Sequence, residues 1–501
     1  SLDADLGIDS IKRVEILSAL QENMPELPAV QPEQLGTLET LQQIVQALTG
    51  TGAATTKQTQ STPSTSPSEI PEPVEPTQQS EPQPRPQQVR QPDPLATVRR
   101  EVIQLDVVNS QRPSYALSTS APLWLVDDCS SLVPLVANTL KREGYPVKIV
   151  SPTQSEVPAK LAGLVIIAPE IGTDSRFLRD VFALTQRCAP ALKAQSQQQS
   201  ATVSRLDGHC GFSNHHPVRD PLSGALGGLC KTARLEWPEL TCKAIDIGDE
   251  LSEKELSAAL IDEILLSGPT EVGISKQGHF TPVLVAAPLA DDCKTVQLTN
   301  DDVVVISGGA RGVTAEVATY LAQSGQPTLL LLGRSALPDA EPTWLAAAHS
   351  EADIKRALME HADSPVKPRE LNDQCNKVLQ QRELLANLER LRQAGSRVIY
   401  KALDIRDENA VAHTLDEARQ HGTIRGIIHG AGVLADRKIE DKTLEQFDQV
   451  YSTKVAGLQA LLQASHSDPL RFIVLFSSST GRFGRIGQVD YAMANEVLNK
   501  T

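Results

Sequence analysis

The chain has 501 residues, 40% of them hydrophobic, and a formal net charge of −15 at pH 7. Its length suggests about three domains, and its acidic balance argues against binding to nucleic acid or to an anionic membrane surface. It contains no apolar run near the roughly 18 residues of a membrane span and no signal peptide. The 7 cysteines form no CxxC pair, which indicates a reducing, cytoplasmic location and no metal centre.

Residues 1–49 are predicted to form a small helical unit, because apolar side chains recur there at helical spacing. The stretch "DADLGIDSIKRVEILSAL" places Ser10 at the start of an amphipathic helix, where Asp9 or Ser10 would suit the N-cap. It also resembles the phosphopantetheine attachment site of acyl carrier proteins. The resemblance implies a carrier domain that lacks its first helix and bears 4'-phosphopantetheine on Ser10.

Residues 50–94 are dominated by Pro, Gln, Ser and Thr. Such a stretch buries too little apolar surface to offset the entropy of ordering, so we predict a disordered linker.

From residue 95 onwards, apolar strands alternate with helical stretches, which predicts an α/β fold with two consecutive Rossmann-like units and parallel sheets. The units are expected at 95–298 and 299–501, with an insertion at about 338–394. The predicted strands are Leu123–Val126, Val147–Val150, Leu164–Ile167, Ala244–Ile247, Val303–Ile306, Leu329–Leu332, Arg397–Ala402, Gly426–His429 and Phe472–Phe476.

A glycine-rich turn follows the first strand of the second unit, in "SGGARGVTAEVATYLAQSG". The order of strand, glycine turn and helix is typical of a dinucleotide site. The turn resembles the TGxxxGxG pattern of short-chain dehydrogenases, with Thr314 in place of the third glycine. The cofactor-binding candidates here are Gly308, Gly309, Arg311 and Gly312.

Further cofactor candidates follow the later strands of the same unit. Arg334 lies just past the second strand, where a cation accommodates the 2′-phosphate of NADPH, and Arg311 adds a second positive charge. Asp404 follows the third strand and is expected to meet the adenine. The turn of Gly430 and Gly432 should let the backbone approach the cofactor.

The stretch "FSSSTGRFGRIGQVDYAMANEVLNK" carries Ser478, Tyr491 and Asn495, and Lys454 lies in "YSTKVAGLQALL" upstream. This set resembles the ketoreductase domains of polyketide and fatty acid synthases, in which Lys and Asn exchange the positions found in classical short-chain dehydrogenases. The resemblance implies that Tyr491 is the general acid, that Lys454 activates it and that Ser478 binds the carbonyl oxygen. Asn495 would hold Lys454 or a water.

The first unit carries no glycine fingerprint. Asp127 and Asp128 stand where a phosphate-binding turn would be, and two carboxylates there would repel a dinucleotide. The unit resembles the structural half of synthase ketoreductases, so no chemistry is assigned to it. The cluster His209, Cys210, His215 and His216 matches no common metal site, which favours a polar loop.

Taken together, the chain resembles a segment of a bacterial polyunsaturated fatty acid synthase subunit that ends in a carrier repeat and a ketoreductase. The implied substrate is a carrier-bound β-ketoacyl chain, and the implied partners are a phosphopantetheinyl transferase and other synthase domains and subunits. Two alternatives are a polyketide synthase module and an inactive reductase-like scaffold. Leu434-Ala435-Asp436 partly matches a Leu-Asp-Asp signature of ketoreductase stereochemistry, which suggests a (3R) product.

The chain begins with Ser and stops inside the helix of Tyr491, so we expect a fragment. An unpaired sheet edge is expected at its end, and the isolated piece is expected to be weakly active or inactive.

Overall fold

The computed structural model describes residues 100–501 except 110, 116, 195–197, 288–295, 363 and 365. The predicted carrier domain and linker lie outside these residues. The chain divides into two compact units, one formed by 99–337 and 383–501, and a second that includes 338–382.

The first sheet belongs to the larger unit and has eight strands in the order β1-β8-β7-β6-β5-β4-β2-β3. Strand β8 is antiparallel to β1 and to β7, whereas the other neighbours are parallel. In chain order its elements are β1 (Glu101–Val107), β2 (Leu123–Val126), α1 (Leu132–Arg142), β3 (Val147–Val150), β4 (Gly163–Ile167), α2 (Ser175–Leu192), β5 (Gln199–Ser204), a 3₁₀ turn (Pro221–Gly224), α3 (Ala225–Glu236), β6 (Thr241–Ile247), α4 (Glu253–Leu265), β7 (Glu271–Ser275) and β8 (Gly278–Ala286).

The second sheet, in the same unit, has five parallel strands in the order β11-β10-β9-β12-β13. Its central strand is buried throughout, because helices cover both faces of a parallel sheet. Its elements are β9 (Asp302–Ser307), α5 (Gly312–Ser324), β10 (Thr328–Gly333), β11 (Val398–Ala402), α9 (Glu408–Ala418), a 3₁₀ turn (Arg419–His421), β12 (Thr423–His429), α10 (Leu444–Ala464), β13 (Phe472–Leu475), α11 (Ser479–Phe483) and α12 (Val489–Lys500).

The segment between β10 and β11 is helical. It contains α6 (Thr343–Ala346), α7 (Glu351–Glu360) and α8 (Pro368–Gln393). Residues 338–382 have a small apolar core of their own, made by Leu345, Ala348, Ile354, Ala357 and Cys375.

All nine predicted strands are present, with ends that differ by up to three residues. Four further strands were not predicted: β1, β5, β7 and β8. Strand β5 has the sequence QSATVS and is buried because its hydroxyls are bonded internally, for example Thr202 Oγ1 to the carbonyl of Leu226 at 3.0 Å. The second sheet is parallel as predicted, and the first is mixed, because its strand β8 turns back in a hairpin from β7 and also pairs antiparallel with β1.

Helix α12 connects the two halves of the larger unit. It packs against α3 of the first half, and both helices contribute to one apolar core that includes Leu229, Trp237, Met493 and Val497. The approach is closest at Gly228, where a Cβ atom would lie 2.6 Å from the backbone nitrogen of Met493. A glycine at this point therefore sets the distance between the two helices.

We predict that Gly228→Ala destabilises the fold by about 1–3 kcal/mol, because the added methyl group must push the backbones of α3 and α12 apart. The neighbouring Gly227→Ala is the matched control, since its Cβ would be 3.6 Å from the nearest atom, the Glu496 Oε2. The control should gain up to about 1 kcal/mol from the better helix propensity of alanine. Urea unfolding of both variants measures the difference, and equal effects would contradict the packing argument.

Candidate functional site

The side chains of Lys454 and Tyr491 meet at the carboxyl end of β13. Lys454 comes from α10, and its Nζ lies 5.2 Å from the centroid of the Tyr491 ring of α12. The same Nζ donates a hydrogen bond to the carbonyl of Phe476, at 2.9 Å. Only 2% of Lys454 is exposed. The structure therefore holds a buried positive charge against the tyrosine.

Burial lowers the pKa of Lys454 to about 8, because desolvation disfavours its charged form. Near neutral pH the ammonium form still predominates. Within this low-dielectric pocket the charge acts more strongly on its neighbours than it would in water.

Ser478 and Asn495, the other two predicted residues of this site, are each held by a local hydrogen bond. Ser478 is the N-cap of α11, and its Oγ accepts a hydrogen bond from the Thr480 amide at 3.1 Å. Asn495 lies one turn after Tyr491, and its Nδ2 donates to the Tyr491 carbonyl at 2.7 Å. The Asn495 Oδ1 is buried and accepts no hydrogen bond from the described residues. The expected direct bond from Asn495 to Lys454 is therefore not made, and Asn495 keeps a free acceptor.

A histidine that the sequence analysis did not single out connects the site to the glycine turn. His429 ends β12 and is fully buried. Its Nε2 lies 2.9 Å from the carbonyl of Lys454 and therefore donates, while Ser307 Oγ, at 2.7 Å, donates to its Nδ1. Ser307 Oγ in turn accepts from the Ala431 amide at 3.3 Å. One chain of hydrogen bonds thus joins β9, the turn after β12, and α10.

The protonation state of His429 follows from its burial and its charged neighbour. Burial, with the nearby Lys454 charge, lowers the pKa of His429 to about 4. The ring is therefore neutral at physiological pH, as its two hydrogen bonds require. The signal in the sequence was the single polar ring at the end of the apolar run "IIHGAGV".

The glycine turn forms a cradle of bare backbone. Gly308 has a φ of +71°, and a Cβ there would lie 2.9 Å from the Ala431 amide nitrogen. Thr314, which replaces the third glycine, fits because its side chain packs onto Gly430, where a Cβ would overlap it. The close packing that a glycine would allow at 314 is thus provided by Gly430. A dinucleotide could approach this backbone closely, as such sites require.

The charged candidates lie at the exposed rim of this cradle. Arg311 and Arg334 are both exposed. The amide of Gly312, at the start of α5, donates to Glu383 Oε1 at 3.1 Å, so this helix end already attracts an anion, as helix N-termini do. Asp404 is held by Arg406, whose Nη2 is 2.6 Å from Oδ2. That bond, with a smaller effect of Arg334, lowers the pKa of Asp404.

The glycines of the predicted set divide between these two places. Gly308, Gly309, Gly312 and Gly430 belong to the cradle, whereas Gly432 lies beside Lys454, since a Cβ there would be 3.2 Å from Lys454 Cε.

The first sheet has no such cradle at the corresponding edge. Asp128, just after β2, is buried and accepts from Arg205 Nη2 at 2.7 Å, and Arg205 also donates to the Ala168 carbonyl at 2.8 Å. This internal ion pair occupies the position that a phosphate-binding turn would take. The histidine cluster lies elsewhere: His209, His215 and His216 line an open cavity of about 480 Å³.

Neither a metal cluster nor a membrane-spanning helix is found among the described residues. Within them, no set of three potential ligands of the His, Cys, Asp or Glu type is placed to hold a metal ion. No helix in the described part of the chain is long and apolar enough to cross a membrane.

The chain thus combines a doubly wound sheet, a glycine turn and a cluster of Ser, Tyr, Lys and Asn side chains, and comparison with known proteins places this combination. Residues 303–501 match the family model of the KR domain. The chain is 35% identical over 317 residues to a polyunsaturated fatty acid synthase polypeptide of Thraustochytrium sp., covering 60% of this chain and 11% of that protein. It is 29% identical over 300 residues to polyketide synthase PksL of Bacillus subtilis, covering 59% of this chain and 6% of that protein.

Solved ketoreductase structures share the fold. An N-terminal ketoreductase from the macrolactin assembly line aligns with a TM-score of 0.58 at 20% identity, over 80% of this chain and 79% of that chain. A-type ketoreductases from a modular polyketide synthase align with the same TM-score of 0.58 at 22% identity, over 80% and 79% of the two chains. The predicted α/β fold and the resemblance to synthase ketoreductases are confirmed.

We predict that His429 makes the stability of the protein depend on pH. Its folded pKa lies below the ordinary value of about 6.5, so the unfolded state binds more protons below that pH and stability falls as the pH is lowered. Between pH 7 and pH 5 this group alone should cost about 2 kcal/mol. Urea unfolding of His429→Gln should show lower stability at pH 7 and a loss on acidification smaller by that amount.

The matched control is His413→Gln, because His413 is 75% exposed on α9. An equal acid loss in the wild type and in His429→Gln would contradict the assignment of a neutral, buried imidazole.

Proposed function

We propose that this chain reduces a β-ketoacyl thioester to the β-hydroxyacyl product with NADPH. The observation that carries the proposal is the buried ammonium of Lys454 held 5.2 Å from the ring centroid of Tyr491. A phenol beside a desolvated cation is suited to give up its proton, since the cation stabilises the phenolate that remains.

Each residue of the site then has one task. Tyr491 donates a proton from its hydroxyl to the ketone oxygen. Ser478 donates a hydrogen bond to the same oxygen and stabilises the negative charge that develops there. Lys454 stabilises the phenolate, and Asn495, through its free Oδ1, holds a water that returns a proton to the site.

The residues of the cradle fit a dinucleotide. Gly308 and Gly430 keep the floor free of side chains, Arg311 and Arg334 offer positive charge to a 2′-phosphate, and Asp404 lies where the adenine is expected. When bound, NADPH supplies the hydride. The preference for NADPH over NADH rests on the two arginines, because an NAD enzyme would carry an acid at position 334.

The parent protein is proposed to belong to a polyunsaturated fatty acid synthase. The chain spans 11% of the Thraustochytrium protein and 6% of PksL, and it is more similar to the first. A polyketide synthase module remains the alternative, since its site residues would be the same. We place the protein in the cytosol, in an assembly with other synthase domains and subunits.

The proposal extends to the carrier motif. Ser10 would receive 4'-phosphopantetheine from a phosphopantetheinyl transferase and present the β-ketoacyl chain as a thioester. The support is the motif around Ser10 and its place upstream of a KR domain.

We expect Tyr491→Phe to lower the rate of NADPH oxidation with a β-ketoacyl thioester by at least about 100-fold, because it removes the proton donor and little else. NADPH binding, measured by fluorescence, should be unchanged. The matched control is Tyr320→Phe, a tyrosine that is 70% exposed on α5 and should keep full activity. The assay is best made on the whole protein; if the wild type binds neither NADPH nor substrate, the scaffold alternative is correct.

For the cofactor, Arg334→Ser should raise the KM for NADPH about tenfold and leave the KM for NADH unchanged, since a charge-assisted contact to a phosphate contributes on the order of 1.5 kcal/mol. Steady-state rates with both nucleotides make the comparison. Arg176→Ser, whose side chain is 86% exposed on α2, is the control. An equal change for both nucleotides would show that Arg334 does not contact the 2′-phosphate.

A further inference from the structure

A buried ion pair lies next to the catalytic tyrosine and takes no part in the proton transfer. Lys442, just before α10, and Asp490, in the first turn of α12, are joined by a contact of 2.7 Å between Nζ and Oδ2. The Lys442 side chain is 0% exposed and that of Asp490 2%. The other carboxylate oxygen of Asp490 accepts from the Tyr491 amide at 2.8 Å.

The lysine has a second partner in the loop that follows the turn after β12. Its Nζ donates to the carbonyl of Ala435 at 2.5 Å. In the same loop, Asp436 Oδ2 accepts from Gln488 Nε2 at 2.8 Å. The loop Leu434-Ala435-Asp436 is thereby attached to the beginning of α12 by two side chains.

This loop lies along the site. It starts after Gly432, which contacts Lys454, and its Asp436 is held by Gln488, three residues before Tyr491. Between these points Leu434 is 61% exposed. Because Leu434 is largely exposed between two points that contact residues of the site, its apolar side chain is available to an acyl chain.

Helix α3, in the first half of the larger unit, also holds this loop and the segment before α12. Both oxygens of Glu236, at the end of α3, accept backbone amides: Oε2 from Ile439 at 2.7 Å and Oε1 from Gly487 at 2.8 Å. The Arg437 amide also donates to the Gly487 carbonyl at 2.9 Å. The loop and the segment before α12 are therefore bonded to each other and to α3, and Lys442, through Asp490, is the link nearest to Tyr491 along the chain.

We propose that Lys442 is a positioning residue, which holds the loop 434–436 against helix α12 so that Leu434 and Tyr491 face the same acyl substrate. This inference rests on the proposed reduction of a β-ketoacyl thioester. Replacing a buried ion pair by apolar groups often costs little stability. A contribution to stability therefore does not by itself explain why this ion pair is present. Burial raises the pKa of Asp490 to about 6, and the carboxylate is still ionised at neutral pH to hold the lysine.

The test compares two variants of the whole protein. Lys442→Met alone would leave the Asp490 carboxylate buried without a cation and can fail to fold. Asp490→Asn avoids the equivalent fault, because the amide oxygen that replaces the carboxylate and the Ala435 carbonyl can both still accept from Lys442 Nζ. The informative pair is therefore Asp490→Asn, which keeps the contact of Lys442 with Ala435, and the double variant Lys442→Met/Asp490→Asn, which removes that contact together with the charge pair. Turnover, NADPH affinity, melting temperature and hydrogen exchange of the 433–442 segment are measured on both.

We expect Asp490→Asn to keep kcat within about threefold, and the double variant to lose about 30-fold or more in kcat, since a misplacement near 1 Å can cost about 100-fold. NADPH affinity should stay within twofold, and exchange in 433–442 should be faster only in the double variant. Equal kcat and equal exchange in the two variants, with only a lower melting temperature for the double one, would overturn the proposal. If the wild type shows no turnover, the proposed function fails, and hydrogen exchange still decides whether Lys442 holds the loop.

Discussion

The site depends on how helix α12 is embedded between the two halves of the larger unit. Ten of its residues are buried, among them three that carry charge: Asp490, Glu496 and Lys500. Each has a partner outside the helix, namely Lys442, Lys231 and the carbonyl of Cys210. A helix with buried charge on several sides is stable only inside a matching frame. The position of Tyr491 is therefore a property of the whole unit.

The same frame explains why the first half retains a Rossmann-like sheet without a cofactor cradle. Its edge is closed by the buried pair of Asp128 and Arg205, and its helix α3 provides Gly228 and Glu236 to hold α12 and the loop before it. The first sheet thus supports α12, while the second sheet carries the glycine turn with its exposed backbone. Both halves are built on a Rossmann-like sheet, one packed to hold helix α12 and the other with an open glycine turn.

Around the tyrosine, charge is arranged through a few buried groups. Lys454 is desolvated yet still cationic near neutral pH, and His429 stays neutral because it is buried beside that cation. The neutral ring can then donate to the Lys454 carbonyl and accept from Ser307 at once. The lysine is thus fixed at its backbone by His429 and at its ammonium by Phe476, which leaves it little freedom to move away from the phenol.

The sequence alone determined the strands with continuous apolar runs, such as β9 and β12, because local hydrophobicity is visible along the chain. Motif spacing predicted the candidate residues of the site. It did not reveal β5, whose buried hydroxyls on Thr202 and Ser204 donate to the carbonyls of Leu226 and Ile245. It also did not show that Thr314 fits against Gly430 or that Asn495 bonds the Tyr491 carbonyl. Nor did it show that His429 bonds Lys454 and Ser307, or that Lys442 bonds Asp490 and Ala435. These contacts join residues distant in sequence, and only the tertiary structure brings such partners within hydrogen-bonding distance.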